Sequence, residues 1–187
     1  MNQNSIIILI VAVAIVAALI AFFIYRQHRE RQARHLREHF GPEYSRLASE
    51  KGAVVAEKEL ANRERRAARF VIRPLSAEDR RRFLSGWQEI QKAFVDDPQG
   101  SLSAADELIG KVMAARGYPV QDFEQRAADL SVDHPIVVQH YHAAHEIALR
   151  HKSGQTTTED LRQAMIHYRA LFDDLLSEQP GQAHAAE

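Results

Sequence analysis

Twenty consecutive residues, Ile6 to Tyr25, contain no charge, no glycine and no proline. A helix rises about 1.5 Å per residue, so a run of this length covers the roughly 30 Å hydrocarbon core of a bilayer. A helix packed on a soluble core keeps one polar face, and this run has none. It therefore predicts a retained transmembrane helix within residues 1–25. The rival reading is a cleaved signal peptide. Against that, Met1–Ser5 lacks Lys and Arg, and the apolar stretch exceeds the usual length for such a segment. Phe22-Phe23-Ile24-Tyr25 also stands where small residues would mark a cleavage site.

Flanking charge sets the direction. Arg26, Arg29, Arg31, Arg34 and Arg37 follow the run, opposed only by Glu30 and Glu38. Excess Arg stays on the cytoplasmic side. The expected topology is a single pass through the inner (cytoplasmic) membrane, with the N-terminus outside and everything after residue 25 inside. Tyr25 and the five arginines are the expected membrane-interface residues. Ala14, Ala17, Ala18 and Ala21 place small side chains on one helix face, a candidate homodimer contact. The competing reading is that Ala is simply filler, since no Gly-x-x-x-Gly is present.

Charge is split along the remainder. Sixteen Lys or Arg stand against nine Asp or Glu from Arg26 to Arg82, a net of +7; eight against sixteen from Phe83 to Glu187 give −8, and together these make the chain's −1. A basic stretch thus joins the predicted anchor to an acidic domain. Juxtamembrane Arg is favoured at an anionic leaflet, whereas an acidic domain is repelled, so the expectation is an acidic domain held off the bilayer on a basic stalk. Residues 26–75 read as that stalk and its linker. Gly41-Pro42 breaks the first helix, Gly52 interrupts the next, and the apolar face of 43–69 is thin enough to need a partner surface. Heptads are too brief to decide for or against a coiled coil there. Phe70 to Leu75, containing Arg73-Pro74, should be extended.

From Ser76 the helix signals repeat. Ser76, Ser103 and Thr157 each precede an Asp by three residues in capping-box fashion, and Asp133-His134-Pro135 marks another helix start. Apolar stripes follow: Phe83, Trp87, Ile90, Phe94; Leu108, Ile109, Val112, Met113; Phe123, Ala127, Leu130; Val137, Val138, Tyr141, Ala144, Leu149; Leu161, Met165, Tyr168, Phe172, Leu175. No stretch alternates convincingly with period two. The predicted architecture is all-α: one transmembrane helix, a basic helical stalk, and a bundle of about five short helices over 76–178. Residues 179–187 form a tail expected to be disordered. With 45% hydrophobic and 26% charged residues, wholesale disorder is excluded. Having no cysteine, the chain cannot carry disulfides, thiolate metal sites or a thiol nucleophile.

Several phrases together resemble a family of small bacterial single-pass membrane proteins with a cytoplasmic helical domain and no assigned activity. They are Phe40-Gly-Pro-Glu-Tyr44, Arg73-Pro-Leu75, Phe94-Val-Asp-Asp-Pro98, Arg116-Gly-Tyr-Pro119, Asp122-Phe-Glu-Gln-Arg126, Asp133-His-Pro135 and His167-Tyr-Arg-Ala-Leu-Phe172. The resemblance spans most of 40–175. It implies a bacterial source, an N-terminal anchor and a helical domain, and brings no cofactor or catalytic residue.

Histidine is the one enrichment that bears on chemistry. Ten are present, with His134, His140, His142, His145 and His151 crowded together. Neutral imidazole suits zinc, nickel or copper. His142 and His145 share a helix face, and His167 is a candidate third ligand, but the His-Glu-x-x-His spacing is absent. Asp96-Asp97, Asp106-Glu107 and Asp173-Asp174 are adjacent carboxylates that point apart on a helix and read as caps or solvated faces. Tyr118 and Phe123 would either close the bundle or form an exposed aromatic patch. The reading is therefore a non-enzymatic interaction or scaffold module with no catalytic, cofactor or metal residues assigned; its partners are the lipid bilayer and another protein. The alternatives are a histidine-rich metal-binding or enzymatic domain, and a membrane tether for nucleic acid through Arg63–Arg82.

Overall fold

The computed structural model describes the backbone of residues 3–119, 121–153 and 156–177, and side chains from Ile15 onward except at 152. All regular structure among these residues is helical: α1 (Gln3–Phe40), α2 (Pro42–Lys51), α3 (Ala53–Ala67), α4 (Ala77–Ala93), α5 (Pro98–Arg116), α6 (Phe123–Asp133), α7 (Val138–Lys152) and α8 (Thr158–Ser177). The tail from residue 179 lies outside the described residues.

The chain divides into two compact units, residues 1–39 and 40–187. The first is helix α1 up to His39, which continues unbroken from the apolar run into the Arg-rich stretch. Among the described residues no helix is long and apolar enough to cross a membrane. The apolar run begins at Ile6, and the side chains of residues 6–14, Ala14 included, lie outside those described.

The second unit contains two packing layers. Gly41, at φ 45°, adopts a conformation that only glycine enters freely, and Pro42 opens α2 where its missing N–H leaves no bond unmade. Gly52, at φ 84°, turns α2 into α3. This hairpin buries Phe40, Tyr44, Leu47, Ala56 and Leu60. The thin apolar face finds its partner surface here: α3 packs against α6, and α2 against α7. Residues 42–67, read from sequence as stalk, are thus folded onto the bundle.

The main core lies among α4–α8. Its largest contact joins α7 to α8, followed by α5 with α8 and α4 with α5. Phe83, Trp87, Ile109, Met113, Leu130, Tyr141, Tyr168 and Phe172 meet inside it. Trp87 stacks on Phe172, with ring centroids 4.7 Å apart and planes 17° from parallel. The α8 stripe Leu161, Met165, Tyr168, Phe172, Leu175 is buried throughout, as its period predicts.

Caps explain most boundaries. Ser76 accepts from the Asp79 N–H at 3.0 Å, Asp122 from that of Gln125 at 2.9 Å, and Thr157 from that of Asp160 at 3.2 Å. Three local expectations need correction. Helix α5 begins at Pro98, not Ser103: Asp97 accepts from the Gly100 N–H at 2.8 Å, which leaves Ser103 inside the helix with its hydroxyl on the Gln99 carbonyl. His134 closes α6 rather than opening α7, which starts at Val138. Leu149 is half exposed because the inward stripe of α7 passes through Ile147 instead.

The linker after α3 is pinned. Gly117 ends α5 at φ 100°, and a Cβ there would lie 2.4 Å from the Val71 carbonyl oxygen. Arg73 donates its N–H to the Arg116 carbonyl at 2.9 Å and its Nε–H to the Ala115 carbonyl at 3.0 Å. Arg116, itself buried, reaches across to the Leu175 carbonyl near the end of α8.

Candidate functional site

The most heavily charged buried position is Glu43, in the first turn of α2, with no exposed surface. Its carboxylate accepts from Arg46 Nε at 2.9 Å and Nη2 at 2.8 Å, a bidentate pair one helical turn away. From α3, Arg63 Nη1 donates to the same carboxylate at 2.7 Å and to Ser131 Oγ of α6 at 3.1 Å, while its Nη2 reaches Glu59. From α7, His142 Nε2 lies 3.8 Å from Glu43 Oε2. A single carboxylate thus gathers groups from α2, α3 and α7, and through Arg63 it is tied to α6. Next to it, Arg66 bonds Asp129 of α6 at 2.9 Å, and Gln125 holds the same oxygen at 2.9 Å.

Burial works against charge on Glu43, but the hydrogen bonds and positive charge of Arg46 and Arg63 outweigh it and hold its carboxyl below the ordinary value. His142 is pushed below its ordinary value by burial and by the nearby Arg46 charge, against the pull of Glu43 and Glu124. At neutral pH the centre is an ionised carboxylate clamped by two guanidinium groups beside a neutral imidazole. Three N–H donors and a depressed pKa make Glu43 a poor base; the arrangement crosslinks helices.

A second polar cluster lies between α5, α6 and α7. Asp106 accepts from Arg126 Nη2 at 2.8 Å and from the Tyr141 hydroxyl at 2.9 Å. Gly110 makes room, since a Cβ there would come within 2.9 Å of Arg126 Nη1. Burial, and then the Asp106 charge, raise Tyr141, so its hydroxyl stays protonated and donates.

The histidines disperse. His134 pairs with Asp174 of α8, and His151 meets Thr156 Oγ1 at 2.7 Å. His142 and His145 share a face, as their spacing predicts, but that face meets Phe123: His145 stacks on the ring at 3.5 Å and His142 meets its edge. His140 instead pairs with His167 across α7 and α8, their Nδ1 atoms 2.9 Å apart. Among the described residues no group of three or more His, Asp or Glu could hold a metal ion. Of the adjacent carboxylates, Asp97 caps α5, Asp106 joins the cluster above, Glu107 pairs with Lys111, Asp173 with Arg169 and Asp174 with His134.

The arginines of 63–82 also separate. Arg63 turns inward to Glu43, while Arg66, its side chain 40% exposed, pairs with the buried Asp129 from the surface. Arg65, Arg69 and Arg81 are exposed, and Arg65 bonds Asn62 and the Ala61 carbonyl within its own helix. Tyr118 is buried with its hydroxyl on Asp133 at 2.7 Å, and Phe123 packs on the core, so both close the bundle.

In the first unit Tyr25, Arg26, Arg29, Arg31, Arg34 and Arg37 are exposed, as are Ala17, Ala18 and Ala21. Arg26 pairs with Glu30 at 3.0 Å.

Sequence reasoning did not find the Glu43 centre. The local pairs Glu43–Arg46 and Glu59–Arg63 are visible as helix spacings, but nothing along the chain links them to Ser131 or His142. No family model, curated protein or solved structure matches this chain.

Proposed function

We propose that this protein is a single-pass anchor of the cytoplasmic membrane, N-terminus outward, that presents an acidic helical bundle as a docking module for another protein. One observation carries the reading: Ile15, Val16, Leu19, Ile20, Phe22, Phe23, Ile24 and Tyr25 are 55–67% exposed, on all sides of the helix. Monomeric proteins rarely leave such a surface in water. A bilayer supplies the missing cover, and Arg26 to Arg37 at its end set the inward direction. The family resemblance of 40–175 points the same way.

An interaction role is supported by how the carboxylates are used. Glu43, Asp106 and Asp129 are each held by arginine, and they tie helices together rather than face a substrate. The net negative charge from Phe83 onward favours a partner that carries net positive charge.

The test is topological. A reporter active only outside the cytoplasm, fused after Glu187, should be silent, and one active only inside should work. The protein should stay with membranes after alkaline extraction. The opposite reporter pattern, or release as a soluble chain, would overturn the reading.

A further inference from the structure

From Arg65 to Ala77 the chain contains no acidic residue. Phe70, Ile72 and Leu75 pack against the core, with Phe70 edge-on to Tyr118 at 6.4 Å. Arg69, Val71 and Arg73 alternate with them and are exposed, and Val71 is 81% exposed between its two arginines. Arg65 stands one helical turn before Arg69 on the exposed side. The segment cannot turn over, because its backbone and Arg73 are bonded to the end of α5 and Gly117 is fitted against the Val71 carbonyl.

We propose that this rigid edge, Arg65, Arg69, Val71 and Arg73, is a docking surface for an anionic lipid bilayer. The proposal rests on the membrane-anchor reading above, which keeps the unit close to such a surface. Guanidinium groups match phosphate headgroups, and an apolar side chain fixed between them enters the boundary beneath. The residues from Phe83 to Glu187 carry net negative charge and are repelled by the same leaflet. The bundle therefore meets the membrane by this edge and leaves its acidic surface toward the cytoplasm. Arg63 and Arg66, neighbours in sequence, are excluded because they face Glu43 and Asp129.

Val71→Cys gives a unique labelling site, since the natural chain has no cysteine. The full chain, labelled there with an environment-sensitive fluorophore, is reconstituted into phosphatidylcholine vesicles with or without phosphatidylglycerol. The expected result is a blue shift only with the anionic lipid, reversed by high salt. The same label at Val95→Cys, on the α4–α5 connection and 82% exposed, should not respond. Each Arg near an anionic surface is worth about a fivefold change in affinity, so Arg65→Gln with Arg69→Gln should weaken the response roughly 25-fold. The Lys versions of both should largely keep it. Trp87 fluorescence verifies that each variant is folded. An unresponsive label on chain that floats with the vesicles overturns the proposal. So does a larger response to duplex oligonucleotide in detergent, which would assign the edge to nucleic acid. If the chain fails to float with neutral vesicles yet the label responds to anionic ones, the anchor reading falls and the docking edge stands.

Discussion

Replacing Glu43 by Gln removes one charge from the centre of the polar network while nearly preserving its volume. Glu43 has no exposed surface, and the side chain of Arg63 is only 11% exposed, so neither is well solvated. Removing one partner of such a buried pair costs about 3–5 kcal/mol, chiefly because the other charge is left without compensation. Arg46 is 34% exposed and retains Glu50, and Arg63 retains Glu59 and Ser131. Those remaining partners place the loss at the low end, about 3 kcal/mol. The apolar residues of the α2–α3 hairpin lie outside the main core cluster, so the damage should be local. Amide exchange in α2 and α3 of the detergent-solubilised chain should accelerate more than about a hundredfold near pH 7, while the Trp87 unfolding midpoint moves much less. The pH dependence has a definite sign. A carboxyl whose folded value is depressed contributes fully above its unfolded value of about 4.3, and the contribution is lost as pH falls through the folded value. The gap between variant and parent should therefore close in acid. Unchanged exchange in α3 near neutrality, or a gap that persists undiminished in acid, would refute the assignment of Glu43 as the tie between hairpin and bundle.

Three further outcomes follow from the packing. Trp87→Ala removes a buried ring stacked on Phe172 and should destabilise the bundle by about 3–5 kcal/mol in denaturant unfolding followed by circular dichroism; melting alongside the parent would place Trp87 outside the core. Gly117→Ala forces a Cβ against the Val71 carbonyl at a positive φ and should cost more than about 1 kcal/mol by the same assay; a neutral result would mean that the linker is not pinned there. His167 is held below its ordinary value by burial and by the His140 charge, so the folded state takes up the proton less readily than the unfolded chain. Stability should therefore decline as pH falls below about 6.5, and His167→Gln should flatten that limb; equal slopes for variant and parent would remove the pair from the account of acid sensitivity.

Features written in short-range spacing were legible from the chain alone. Residues that touch within one helix lie three or four apart, so the α8 stripe, the Ser76 and Thr157 caps and the Gly41 and Gly52 turns follow from local order. The apolar run of 6–25 and the charge split are likewise properties of composition along the chain. Even there, two nearby caps compete: Asp97 won over Ser103 because Pro98 can open the helix directly behind it.

What only the tertiary structure decided is which side chains meet across helices. Periodicity puts Arg63 and Arg66 on one face of α3 and sets Arg65 on another. It cannot say that the first face meets carboxylates of other helices, because the reason is Glu43 on α2 and Asp129 on α6. Histidine pairing shows the same limit. His142 and His145 are neighbours by helical spacing, yet they spend that face on Phe123, while His140 finds His167, twenty-seven residues away. Helix formation depends on hydrogen bonds four residues apart. A buried charge must instead find whichever partner the packed helices bring within about 3 Å, and that is a property of the assembled bundle.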